Sequence, residues 1–398
     1  MNSKMLKNIL PDLDYNIITN EKKVLDTEIL NISYDTRNIS KDDIFICIKG
    51  SKFDAHDQID EILNKNPRVI VVEKKIENKF LDKANSKNII VITVSDTREA
   101  LAIISRNFFE NKFINEKVKI VGITGTKGKT TTSFMIKSIL EEKGFKVGLI
   151  GTIGIFYNDK YIETNNTTPE SFLIHKTFKD MRDDNVDFII MEVSSQSLKY
   201  SRVYGIKFDY AIFTNIDLDH ISEFEHSDFN DYLKSKLKIF EQSNCALINY
   251  KTKNLDDIIK KVDDVKIKKS FFLQDEDLIS NINLINTEKS LGIEFKYKGN
   301  KYEINLIGIH NIHNAICAIE FANILNIDYK CVYDGLSKVK VFGRAEVCFK
   351  NADFCVIVDY AHNGMGTEAI IKTIKDYSPK RIVTVFGCGG NRTKDRRY

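Results

Sequence analysis

Gly122-Ile123-Thr124-Gly125-Thr126-Lys127-Gly128-Lys129-Thr130-Thr131 is the run of residues best equipped for chemistry in this chain. Its glycines let backbone N–H groups converge on phosphate oxygens, and the N-terminus of a following helix adds positive potential. Lys129 can neutralise β/γ-phosphate charge, and the Thr130 hydroxyl can reach Mg²⁺. The spacing is not the usual G-x-x-x-x-G-K-T: five residues separate Gly122 from Gly128, and Gly125 stands three before Gly128. The alternative is a glycine-rich turn with no ligand. Gly-Lys-Thr between a β-branched run and an amphipathic segment favours phosphate binding.

Further candidates sit where other strands should end. One apolar run leads to Glu192 and then Ser194-Ser195-Gln196-Ser197; another leads to Thr214-Asn215, Asp217, Asp219 and His220. Parallel sheets bind ligands beyond the carboxyl ends of their strands, so Glu192 and His220 could face the same phosphate site. Mg²⁺ takes oxygen ligands with an occasional nitrogen. A surface Glu and a capping Asp-His are the plain alternatives. Late in the chain, Gly343-Arg344 precedes a strand-like run ending Asp359-Tyr360-Ala361-His362-Asn363. An Asp at a strand end can bind a ribose hydroxyl and an Arg can meet phosphate, although neither signal is specific alone.

Positioning these residues requires parallel α/β sheets, and the pattern of apolar runs alternating with helical periodicity provides for them. Strands are predicted over 43–48, 68–72 and 89–94, with a helix over 98–109 leading to a new unit near Asn115. In that unit 118–124, 147–150, 188–193 and 210–214 read as buried strands, and 131–143 and 311–325 as helices. Met135, Ile136, Ile139 and Leu140 fall on one face of the first helix, with Gly144 at its C-cap. A third unit starts near Lys340, with strands over 354–358 and 382–386 around a helix over 366–377. Two strands and one helix cannot bury both faces of a sheet, so this unit is expected to be cut short.

Composition narrows the function classes. The 398 residues are 42% hydrophobic and 29% charged, with a net charge of +3 and a pI near 8.2. Two to three domains are expected, and nucleic acid or an acidic membrane is not expected as the main partner. No window reaches the roughly 18 consecutive apolar residues that span a bilayer. No signal peptide is read at the start. Seven dispersed cysteines (Cys47, Cys245, Cys317, Cys331, Cys348, Cys355, Cys388) with no C-x-x-C pair read as reduced thiols of a cytoplasmic protein.

Together these segments resemble the Mur ligase family, and within it the E-type branch, over nearly the whole chain and in family order. Thr124–Thr131 resembles the family ATP loop, with Lys127 where Asn is more usual. Asn166-Thr167-Thr168-Pro169-Glu170 resembles the segment that touches the muramoyl substrate. Glu192-Val193-Ser194-Ser195-Gln196-Ser197-Leu198 resembles a segment with a metal-binding Glu and a substrate-binding Ser, here Ser194; Gln196 replaces a common His. Arg202 falls at a substrate-binding Arg, and Tyr200 replaces a polar contact of some members. The likeness continues through Asp219-His220, Glu225-His226, Phe229, Tyr232 and Lys236, then through His310-Asn311-Ile312-His313-Asn314, Gly343-Arg344 and Asp359–Asn363. Near the start, Asp35-Thr36-Arg37 and Gly50-Ser51-Lys52-Phe53-Asp54-Ala55-His56 resemble uridine-contacting segments, with Ala55 where Gly is common. Gly387-Cys388-Gly389-Gly390-Asn391-Arg392 resembles the opening of the third-domain motif.

The resemblance implies three domains: 1–112 for the UDP-substrate, 113–338 for ATP, and 339–398 as the start of an amino-acid-binding, Rossmann-like domain. It implies ATP bound by Gly125, Thr126, Lys127, Gly128, Lys129, Thr130, Thr131, Asn314, Arg344 and Asp359. It implies UDP-N-acetylmuramoyl-dipeptide on Thr36, Ser51, Lys52, Phe53, Asn166, Thr167, Thr168, Ser194 and Arg202. Mg²⁺ would be held by Thr130, Glu192, His220 and Lys236, the last carbamylated by CO₂, with Lys129, His220 and Lys236 catalytic. A carbamate turns a cation into an anionic oxygen ligand; Lys234 and Lys238 share the same helical run, and only the resemblance singles out Lys236. The implied reaction ligates a free amino acid to the substrate's D-Glu carboxylate through an acyl-phosphate, in a cytoplasmic monomer. The residues that would read that amino acid lie past Tyr398 by this likeness, so lysine and diaminopimelate both stay open. A folylpolyglutamate synthase-like ligase shares the ATP chemistry, but 166–170, Thr36 and Ser51 argue against it. A non-catalytic truncated relic is the other rival.

Overall fold

The computed structural model describes residues 3–19, 24–50, 53–218, 221 and 225–387. Near the start, β1 (Asn16–Ile17), β2 (Asn31–Ser33), β3 (Asp43–Ile46), β4 (Val69–Val72) and β5 (Ile90–Thr93) form one sheet in the order β1-β5-β4-β3-β2. Only the β1–β5 pairing is antiparallel. Helix α1 (Thr97–Phe108) follows. Its N-cap Asp96 accepts from the N–H groups of Arg98 (2.7 Å) and Glu99 (3.1 Å), which satisfies two donors that have no partner within the helix.

The central sheet contains β6 (Lys119–Thr124), β7 (Val147–Gly151), β8 (Gly154–Tyr157), β9 (Lys160–Ile162), β10 (Phe188–Glu192), β11 (Phe208–Phe213), β12 (Ser243–Asn249) and β13 (Lys268–Phe272). Their order is β9-β8-β7-β10-β6-β11-β12-β13. Six strands are parallel, and β8 and β9 form an antiparallel hairpin at one edge. Around it lie α2 (Lys129–Glu142), α3 (Ser171–Asp183), α4 (Ser195–Lys199), α5 (Phe229–Leu237), α6 (His310–Ile324) and α7 (Tyr329–Lys338). Side chains alternate across β6. Val121 and Ile123 join Met135 and Ile139 of α2 in one core; Ile120 joins Phe178 of α3 in the other. A parallel sheet buried on both faces needs such cover, and its strands read as continuous apolar runs for that reason.

Helix α7 crosses α2 at close range. A Cβ on Gly335 would lie 2.6 Å from Ile139 Cα, backbone that cannot rotate away. Gly335→Ala is therefore expected to destabilise the fold by about 1–3 kcal/mol through overpacking. Denaturant unfolding checks this; an unchanged midpoint would mean that the two helices separate freely.

Beyond the central sheet, β14 (Ile279–Asn286), β15 (Leu291–Tyr297) and β16 (Asn300–Ile304) make an antiparallel meander absent from the sequence prediction. Its apolar residues Ile293, Phe295, Tyr302 and Ile304 merge with the α2–α6 core. Strands β17 (Glu346–Lys350) and β18 (Cys355–Val358) pair antiparallel, and α8 (Gly364–Lys375) follows. Tyr377 ties this unit back to the meander, its hydroxyl donating to Gly292 O at 2.8 Å. The predicted strand over 382–386 does not form: Val383, Val385 and Phe386 are 68%, 92% and 78% exposed. A β-branched run becomes a strand only where a neighbour takes up its backbone groups, and no described strand pairs with this one. The six described cysteines are free thiols, and no described helix is long and apolar enough to cross a membrane.

Candidate active site

The glycine-rich loop leaves β6 at Thr124 and enters α2 at Lys129. Gly125 and Gly128 have φ of 147° and 85°, a region that side chains disfavour. Space excludes side chains as well: a Cβ on Gly125 would lie 2.0 Å from Thr214 Oγ1, and one on Gly128 would lie 2.5 Å from Asn314 Oδ1. The end of β11 braces the turn. Thr126 N–H donates to Asn215 O (2.9 Å), Lys127 N–H donates to Asn215 Oδ1 (2.9 Å), and Thr214 Oγ1 donates to Lys127 O (2.7 Å). Backbone held in this way is pre-formed for an anion, with the start of a 14-residue helix behind it.

Two ammonium groups converge on this loop. Lys129 Nζ donates to Gly125 O (2.7 Å) and Thr126 O (3.1 Å), and Lys236 Nζ donates to Gly125 O (2.9 Å). Lys236 is 1% exposed and lies 4.6 Å from the centroid of the Tyr232 ring. Helical periodicity turns Lys234 outward and Lys236 inward on α5, while Lys238 just beyond it is also exposed.

A buried carboxylate faces the first turn of α2. Glu192, at the end of β10 and 0% exposed, accepts from Thr130 Oγ1 (2.9 Å) and from Thr152 N–H (3.0 Å) and Oγ1 (3.2 Å). Gly151 makes room for it, since a Cβ there would lie 2.1 Å from Glu192 Oε1. A hydroxyl and a carboxylate beside a phosphate loop suit Mg²⁺, which completes its shell with phosphate oxygens and water. Among the described residues no group of three or more His, Cys, Asp or Glu side chains is placed to hold a metal ion. His220 lies outside the described residues, as do Asp219, Ser51, Lys52, Asn391 and Arg392.

On the far side of Glu192 three segments meet. Thr168 Oγ1 donates to Glu192 O (2.8 Å) and accepts from Ser194 N–H (3.0 Å). Ser194 caps α4, its Oγ accepting from Ser197 N–H at 3.1 Å. Arg202 donates from Nη1 to Thr168 O (3.1 Å) and pairs through Nε with Glu170 (2.8 Å). Thr167 Oγ1 reaches Thr152 Oγ1 at 3.0 Å, whereas Asn166 is exposed.

Some candidates lie farther out. Asn314 packs against Gly128, its Nδ2 donating to Asn311 Oδ1 at 2.9 Å. Arg344 stacks on Tyr360 with Cζ 4.4 Å from the ring centroid; Asp359 accepts from Ala345 N–H (2.7 Å) and Ala361 N–H (2.8 Å). Burial lowers the pKa of His310; His313 and Lys127 push it the same way, and Asp359 opposes them. In the first unit Thr36 opens a short 3₁₀ turn and Phe53 is half-exposed. Nearby Tyr34 packs on Phe172 of α3, with ring centroids 6.0 Å apart.

Sequence reasoning missed Arg98 and Thr152. Arg98 donates to Lys49 O (2.8 Å), lies 3.7 Å from Glu170, and stacks on Tyr200 with Cζ 5.2 Å from the centroid. It thus joins the first unit to the central one, and Tyr200 serves as its platform. Its only signal in the chain was an Arg in the first turn of a helix, where a cation opposes the dipole and needs another reason to be there. Thr152 gave no signal beyond following a strand.

A phosphate loop on a parallel sheet, with a carboxylate on the neighbouring strand, defines an α/β nucleotide-dependent enzyme. Three family models match: Mur ligase family, catalytic domain, over residues 28–109; Mur ligase middle domain, over 123–322; and Mur ligase, glutamate ligase domain, over 343–398. The chain belongs to the Mur ligase family of ATP-dependent ligases. It is 40% identical over 400 residues to the UDP-N-acetylmuramoyl-L-alanyl-D-glutamate--2,6-diaminopimelate ligase of Clostridium perfringens (strain 13 / Type A), covering 99% of this chain and 80% of that protein. The protein of the same name from Clostridium tetani (strain Massachusetts / E88) is 40% identical over 395 residues, covering 98% and 79%. A solved structure of a ligase with that name superposes with a TM-score of 0.74 at 21% identity, over 100% of this chain and 79% of the other.

Proposed function

We propose that this chain, acting in the cytoplasm, joins 2,6-diaminopimelate to the D-glutamyl carboxylate of UDP-MurNAc-L-Ala-D-Glu at the expense of ATP. The observation that carries this reading is Glu192: its carboxylate meets Thr130 of the phosphate loop, and its carbonyl meets the Thr168–Ser194 turn. One residue therefore joins a phosphate site to the segment expected to hold the muramoyl peptide. The names of the relatives supply the substrate and the amino acid.

In this reading a substrate carboxylate oxygen attacks the γ-phosphorus, ADP leaves, and an acyl-phosphate forms. The amine then attacks the acyl carbon and phosphate departs. The chain's own part is positioning and charge. The loop N–H groups and Lys129 hold and neutralise the phosphates. Thr130, Glu192, His220 and a carbamate on Lys236 would hold Mg²⁺. That ion supplies charge neutralisation between phosphate oxygens when bound. Ser194, Thr168 and Arg202 orient the peptide, while Thr36, Ser51, Lys52 and Phe53 receive the uridine end. Asn314, Arg344 and Asp359 receive the nucleoside end of ATP.

The test incubates the purified full-length gene product with ATP, magnesium and UDP-MurNAc-L-Ala-D-Glu plus diaminopimelate, lysine or ornithine, with products read by mass spectrometry. Diaminopimelate is expected to give the tripeptide product with ADP and phosphate in equal amounts. Oxygen-18 placed in the D-Glu side-chain carboxylate is expected in the released phosphate. Product from lysine alone would reject the amino-acid assignment, and unlabelled phosphate would reject the acyl-phosphate.

A further inference from the structure

Ser195, His226 and Asp231 line up beside the site without belonging to the phosphate loop. His226 Nε2 lies 2.9 Å from Ser195 Oγ, and Nδ1 lies 3.2 Å from Asp231 Oδ2. In an open cleft this order would suggest nucleophile, base and orienting carboxylate. Here His226 is 0% and Ser195 4% exposed, so no acyl carbon can approach the hydroxyl. The arrangement is a clamp.

Its protonation follows from its surroundings. Burial holds His226 below the ordinary histidine value, against the opposing pull of Asp231. Burial alone would raise Asp231, but Lys199, the Ser227 amide and His226 more than offset it and bring it to about 2. The ring is therefore neutral: Nδ1–H donates to the carboxylate, and Nε2 accepts from Ser195. Lys199 anchors the far end, donating to Asp231 (2.6 Å) and to Glu225 O (3.0 Å).

The clamp touches both halves of the site. The His226 ring packs edge-to-face on Tyr232 with centroids 5.2 Å apart, and the Tyr232 hydroxyl shares a 2.9 Å hydrogen bond with Thr126 Oγ1 of the loop. At its other end Ser195 follows Ser194, the cap of α4 that bonds Thr168. A packed, hydrogen-bonded path thus runs from the Ser194 turn through His226 and Tyr232 to the phosphate loop. We propose that His226 is a positioning residue that couples these two segments, so that nucleotide and UDP-linked substrate each tighten the binding of the other. The inference rests on reading the loop and the turn as the two ligand sites.

Calorimetry on the full chain tests it, with magnesium AMP-PNP and UDP-MurNAc-L-Ala-D-Glu titrated singly and each in the presence of the other. In the wild type each ligand is expected to tighten the other by about fivefold or more. His226→Phe and Ser195→Ala are expected to reduce that factor below about twofold while leaving single-ligand affinities within about threefold. His226→Gln, whose amide can both accept and donate, should restore most of the coupling. Ser195→Ala keeps the ring in place and serves if the Phe variant does not fold. Undiminished coupling in folded variants, or no coupling in a wild type that binds both ligands, overturns the relay. A wild type that binds neither ligand overturns the site assignment itself, a separate and recognisable outcome.

Discussion

Lys129→Ala is expected to lower ATP-dependent product formation by on the order of 10²-fold or more, because it removes a preorganised charge aimed at the phosphates. Its ammonium lies on the loop itself, donating to Gly125 O and Thr126 O. Binding of UDP-MurNAc-L-Ala-D-Glu should persist, since Thr168, Ser194 and Arg202 are held by one another and by Glu170. Steady-state rates and calorimetry on the same preparation check both halves. Lys129→Arg should not rescue, because a planar fork cannot replace a compact ammonium in so tight a turn. Turnover at the wild-type level in the alanine variant would remove the loop from the chemistry.

Lys236 is expected to carry a carbamate, and Lys236→Ala to lose on the order of 10²-fold in turnover. The residue is 1% exposed, with its Nζ on Gly125 O at 2.9 Å. A second cation so close to Lys129 is useful for phosphate only up to a point. Conversion of the amine to N-carboxylate would keep one N–H for Gly125 O and add an anionic oxygen donor for a metal. Labelled bicarbonate should give a carbamate carbon signal that disappears in Lys236→Ala. Thermal unfolding would confirm that the variant is folded. No signal at saturating bicarbonate, or full activity of the variant, would reject the modification.

Much of the architecture was legible because burial on both faces leaves a plain mark. The runs over 118–124, 147–150 and 188–193 are dominated by apolar residues, broken only near their ends by Lys119, Thr124 and Glu192, and each coincides closely with a strand of the central sheet. The meander β14–β16 was missed although β15, Leu-Gly-Ile-Glu-Phe-Lys-Tyr, carries a period-2 alternation with Leu291, Ile293, Phe295 and Tyr297 buried; only β14, Ile-Ser-Asn-Ile-Asn-Leu-Ile-Asn and largely exposed, lacks that mark. The run over 382–386 misled in the opposite sense, having strand composition but no described partner strand.

What the chain determined by itself was local. Gly125, Gly128, Lys129 and Thr130 follow one another, so a strand, a turn and a helix N-terminus suffice to define that motif. Burial of Glu192, its pairing with Thr130 and Thr152, and the inward turn of Lys236 required β6, β7, β10 and α5 to pack together. Arg98, 72 residues from Glu170, became a bridge only when the first unit docked on the central one. Sequence spacing carries backbone conformation and helix or strand period. Which distant side chains share a low-dielectric site depends on long-range packing, because those contacts are set by which apolar faces bury one another.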